Sequence, residues 1–222
     1  MEKLTSSPVV LVPSTFEYSG DPNMRLGEES EKRVMDAIVK CGHKIPGIKV
    51  ICFLRPCLIG SNSNSTREVS YCCFITYQHR HYILMAEVKC NIDSRRSNGT
   101  RKKAMRRLLH FTQLISDELN VPTDNIQTHA IWPNMEPEEH CSIRCGAKHP
   151  SLYEKPKACQ QPGTEKKPDP EPPGFHVFKD KFDGDQFSEW IRNIIVDTSK
   201  AVDESLYDKI LLLVSQNCTG GL

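Results

Sequence analysis

The chain has 222 residues, 38% of them hydrophobic and 26% charged, which is the balance of an ordinary globular protein and not of a disordered or fibrous one. With 29 Lys and Arg against 28 Asp and Glu, a uniformly basic shell is excluded, so any polyanion partner must meet a local patch. No apolar run approaches the roughly 20 residues that span a bilayer, and the N-terminal apolar stretch is too short for a secretory signal, so the sequence reads as soluble and intracellular, cytoplasmic or nuclear.

Residues 1–26 carry no periodicity. From Gly27 the pattern changes. Glu28, Glu29 and Glu31 load acid into a first turn, and Val34, Ile38 and Cys41 then recur at helical spacing until Gly42, which predicts a helix of about four turns. Lys49 to Ile59 is a β-branched run broken by Pro56, followed by the polar loop at 60–66. Glu68 to Tyr77 and His81 to Cys90 read as an antiparallel hairpin turning at His79 and Arg80. A basic stretch leads into Ala104, Leu108, Phe111, Ile115 and Leu119 at helical spacing, closed by Asn120 and Pro122. Thr128 to Trp132 reads as another strand. Helix, three strands, helix and strand in that order predict an α/β fold, a mixed central sheet flanked by helices.

Beyond Pro133 the composition turns to Cys, His, Pro and Lys. The stretch 134–174 is expected to be a Cys/His-rich insertion followed by a proline-rich linker. Order resumes over 175–222 with Phe175 to Phe182. A helix carrying Phe187, Trp190, Ile191 and Ile194 follows, then a last one with Val202, Leu206, Ile210 and Leu213 on one face. These C-terminal helices are expected to pack on the core at 27–133. Among the 10 cysteines, Cys52, Cys72, Cys73 and Cys90 lie inside strand-like apolar runs, where a free Cys behaves as a small hydrophobe and a reducing compartment is implied.

Two carboxylates sit where apolar residues belong. Glu31 shares the inward face of Val34, Met35 and Ile38, and two readings stand for it: tolerance at the helix end by solvent and dipole, or a functional role. In the run HYILMAEVKCN, Glu87 and Lys89 are two apart and so share one strand face after a segment that protein should cover. A turn at His79 and Arg80 pairs Tyr77 with Tyr82, Cys72 with Glu87 and Ser70 with Lys89, placing Ser70 diagonal to Glu87. The alternatives are a small polar pocket and an edge-strand ion pair.

At these residues the chain resembles the PD-(D/E)XK nuclease superfamily, the restriction-endonuclease-like fold. The resemblance covers roughly 27–133. It rests on Glu31 in an opening helix, the hairpin from Glu68 to Lys89, the triplet Glu87-Val88-Lys89 as the E-x-K signature, and Gln113 in the following helix. It implies a Mg²⁺ or Mn²⁺ ion held by Glu87, with Glu31 as a further ligand or outer contact. It also implies a water partner in Lys89 and a supporting role for Gln113, the ion stabilising charge on a scissile phosphate. One position departs from the pattern: Ser70 stands where the family has its metal-binding Asp, and a hydroxyl is a far poorer Mg²⁺ ligand. Glu68, two residues earlier, is the available substitute. Retained hydrolysis and loss of activity are therefore both expected outcomes.

Arg95, Arg96, Arg101, Lys102, Lys103, Arg106 and Arg107 concentrate charge directly after the triplet. This run is either a solvated helix face or a draw for a phosphate backbone. Cys141, Cys145, His149 and Cys159 supply three thiolates and an imidazole, a complete tetrahedral set for structural Zn²⁺ in which His140 is an alternative donor, against the reading of unlinked surface thiols. Three functions follow: a metal-dependent nuclease hydrolysing phosphodiesters, a non-catalytic nuclease-fold module that binds nucleic acid, or a zinc-stabilised protein-interaction domain. No membrane partner is expected.

Overall fold

The computed structural model describes residues 7–13, 25–60, 66–89, 97–133, 175–177 and 182–218. The cluster of Cys141, Cys145, His149 and Cys159 lies outside them. So do Arg95 and Arg96, and the side chains of Arg101 and Lys102.

The elements are β1 (Val9–Val12), α1 (Arg25–Lys44), β2 (Lys49–Leu54), β3 (Cys57–Ile59), β4 (Thr66–Glu68), β5 (Tyr71–Tyr77), β6 (Arg80–Val88), α2 (Ser97–Leu119), β7 (Gln127–Trp132), β8 (Phe175–Val177), α3 (Gly184–Val196) and α4 (Glu204–Cys218). Six strands form one sheet in the order β1-β2-β5-β6-β7-β8. It is mixed: β1 runs parallel to β2, β2-β5-β6 is antiparallel, and β6-β7-β8 is parallel. β3 and β4 pair apart from it as a small second sheet. The sheet has helices on both faces. α1 and α3 cover one, packing on Cys73, Ile75, Leu84 and Ala86, while α2 and α4 cover the other over Phe53, Phe74, Ile83 and Met85. Coverage on both sides is why β5 and β6 read as near-continuous apolar runs.

Several expectations are corrected. Residues 1–26 contain a strand, β1, too short to announce itself by alternation. α1 does not stop at Gly42. A Cβ there would lie 2.2 Å from Val9 Cγ2, so the glycine is what lets the helix lie against β1, and the helix runs on to Lys44. The hairpin turns at Gln78 and His79, which hold φ of 49° and 62°. A two-residue loop with both φ positive is the type I′ turn that matches strand twist. Tyr77 thus pairs with Arg80 and Tyr71 with Ala86, a register two residues from the expected one. On α4 the buried stripe is Tyr207, Ile210, Val214 and Cys218. Leu206 and Leu213 only flank it, and Val202 precedes the helix, its N–H donating to the His81 carbonyl at 2.8 Å.

Candidate functional site

The corrected register decides the site. With Tyr71 opposite Ala86, Ser70 falls directly across from Glu87, not diagonal to it. Ser70 sits at the bend entering β5 and Glu87 near the end of β6, and both are buried, with relative exposures of 4% and 1%. The Ser70 N–H donates to Glu87 Oε2 at 3.2 Å. Its hydroxyl accepts from the Val88 N–H at 3.0 Å and has one proton to give, to Glu31 Oε1 at 3.1 Å or to Glu87 Oε2 at 3.4 Å. Glu31 reaches this point from the N-terminal half of α1, where the Tyr71 hydroxyl donates to its backbone carbonyl.

The other carboxylate oxygen of Glu87 meets two cations. Lys89 Nζ and Arg107 Nη1, the latter at 2.8 Å from α2, both donate to Oε1. A third cation, Arg55, stands at the corner after β2 with φ of 49°, a conformation that costs a non-glycine residue roughly 1–2 kcal/mol. That corner sets Arg55 Nε 3.2 Å from Glu68 Oε1 and 4.0 Å from Glu31 Oε2. Among the described residues, Glu31, Glu68 and Glu87 thus face Arg55, Lys89 and Arg107, three charges against three. Burial pushes the Glu31 carboxyl above its ordinary value; Arg55 and the Ser70 hydroxyl pull it back, and Glu87 and Glu68 push it up again.

Glu31, Ser70, Glu87 and Lys89 come together, and Glu68 joins through Arg55. Gln113 does not. It is exposed and donates to Asp117 Oδ1 at 2.8 Å. Six residues past Arg107 on the same helix, it points about 240° further round the axis. Sequence reasoning placed Arg107 on the basic face only and passed over Arg55. The available signal for Arg55 was a charge set directly between a buried strand and a proline.

The resemblance implies a divalent ion between Glu31 and Glu87, and the donor set does not fit one. Both oxygens of Glu87 are engaged by protein donors, and the residue between the two acids is a neutral hydroxyl. Among the described residues no group of three or more His, Cys, Asp or Glu side chains is arranged to hold a metal. The positive charge lies beside the cluster. On α2 the exposed Lys103, Arg106, Arg107 and His110 recur at helical spacing as one basic stripe. The first turn of that helix contains no acid to offset it.

No family model, curated protein or solved structure matches the chain. Among the described residues no helix is long and apolar enough to cross a membrane.

Proposed function

We propose that the chain is a nuclease-like module that binds nucleic-acid phosphodiesters without hydrolysing them. The observation that carries this reading is Arg107, which belongs to the basic stripe of α2 and at the same time closes on Glu87. The acid that would hold a catalytic ion thereby serves as the counter-ion of a phosphate-facing arginine. The stripe supplies the local positive charge that a nearly neutral protein needs to attract a polyanion.

The test is anisotropy with labelled single- and double-stranded DNA and RNA over a salt series, run beside a cleavage assay with and without Mn²⁺. Binding that weakens steeply with salt and leaves the strands intact is expected. Mn²⁺-dependent cleavage that disappears in Glu87→Ala would favour the hydrolytic reading, to which the convergence of Glu31, Glu87 and Lys89 also lends support. Absence of both binding and cleavage would leave the protein-interaction reading.

A further inference from the structure

We infer that Glu87 is a positioning residue, which holds Lys89 and Arg107 as a preset two-point site for a single phosphodiester group. The inference rests on the phosphate-binding reading above and assigns that reading its anchor. Glu87 cannot turn, because the Ser70 N–H holds Oε2 from the opposing strand and the side chain is sealed from solvent, with an exposure of 2%. Oε1 is thereby fixed relative to the sheet, and both cations converge on it. Lys89 is mostly covered, at 19% exposure, whereas Arg107 is 47% exposed. Only one of the five guanidinium N–H groups of Arg107 is committed to the carboxylate. The remaining four leave donor capacity for a ligand on the exposed stripe that also contains Lys103 and Arg106.

The arginine has no reason to leave Glu87 when a phosphate arrives. Departure would strip a buried carboxylate of one of its two cations, which is costly. Staying allows one guanidinium to bridge the buried acid on one edge and a phosphate on the other, the bidentate geometry for which arginine is suited. An arginine already tethered has given up its rotamer freedom before the ligand binds, so less is lost on association.

This assignment and simple charge counting predict opposite signs. Removing a negative charge from a phosphate-binding face should tighten binding if only Coulomb attraction matters. If Glu87 positions the cations, its loss should weaken binding.

The experiment is Glu87→Gln, with Kd measured by anisotropy on a short labelled oligonucleotide. Glutamine keeps the volume but faces a donor whichever way its amide turns. The NH₂ meets the Ser70 N–H in one orientation and Lys89 with Arg107 in the other. The Kd is expected to rise about threefold to tenfold, and the rise to vanish in an Arg107→Met background, the signature of two coupled residues. A Kd that falls or stays unchanged, or an effect equally large with Arg107 removed, overturns the assignment.

Arg107→Lys supplies a test that leaves the buried acid in place, should Glu87→Gln melt abnormally. It keeps the charge and so the salt slope, loses the guanidinium fork, and is expected to weaken binding; unchanged affinity overturns the inference. Wild-type protein that binds no oligonucleotide at any salt overturns the phosphate reading itself, an outcome distinct from binding that ignores Glu87.

Discussion

Ser70→Ala probes the junction on which the whole cluster hangs. The substitution removes one oxygen and nothing else, since the Ser70 backbone N–H still reaches Glu87. Two losses follow from the geometry. The Val88 N–H, at 3.0 Å from the hydroxyl, is left without its acceptor at a residue only 5% exposed, which costs about 1–3 kcal/mol. A hydrogen bond to a carboxylate, Glu31 at 3.1 Å, also goes, and such bonds contribute about 1.5–3 kcal/mol. The two losses share an atom and do not add in full, so the expected cost is about 3 kcal/mol. For a chain of this size that lowers Tm by about 6–12 °C. The assay is thermal and urea unfolding of wild type, Ser70→Ala and the exposed control Ser205→Ala, which should stay within about 0.5 kcal/mol. A loss below about 1 kcal/mol at Ser70 would show water substituting for the hydroxyl, and the sealed junction would be refuted.

Three further outcomes are expected. Because burial raises the folded-state pKa of Glu31, its stabilising contribution is present below the ordinary carboxylate range and lost as pH rises through the raised value. Glu31→Gln should therefore raise Tm at neutral pH, and the gain should shrink toward about pH 4; a gain that does not change with pH in a melting series would contradict this. Ser70→Asp adds a third carboxylate beside Glu31 and Glu87 and should lower Tm at neutral pH. Millimolar Mn²⁺ should restore it by mass action far more than it shifts wild type, and equal shifts in both proteins would refute the reasoning. Gly42→Ala should destabilise, since the new Cβ meets Val9 at 2.2 Å, an overpacking cost of about 1–3 kcal/mol. Gly184→Ala meets Lys40 Cδ at 2.6 Å and Lys40 Cβ at 3.3 Å; because the lysine chain can turn aside, it should cost less than Gly42→Ala in the same denaturation assay.

The sequence made the main helices and the central strands legible because their apolar residues repeat at periods that only helices and strands produce. It also exposed Glu31, Glu87 and Lys89, since a charge on an apolar stripe breaks the pattern it sits in. Tertiary contact hid the rest. Gly42 looks like a stop signal until β1 is seen to press against it. β1 itself is four residues long and defined by its pairing with β2. Arg55 owes its place in the cluster to a corner that no period describes. The roles of Gln113 and Arg107 came apart on a single helix, where a few residues decide which side chain looks inward. The hairpin register was misread because its turn uses Gln78 and His79 in a conformation usually given to glycine or asparagine.

That turn has a consequence for how the molecule tolerates change. Sliding β6 past β5 by two residues returns every side chain to the face it came from, but it sets Glu87 across from Cys72, inside the apolar layer of Phe53, Phe74 and Met85. The same slide carries Glu87 about 7 Å away from Ser70 and dismantles the ion cluster. Placing Asn-Gly at 79 and 80 invites that shift by moving the preferred bend one position along. Such a variant would keep its strands while losing its charge centre and moving a carboxylate into the apolar core, which makes the Gln78–His79 bend the guardian of the site from the opposite end of the hairpin.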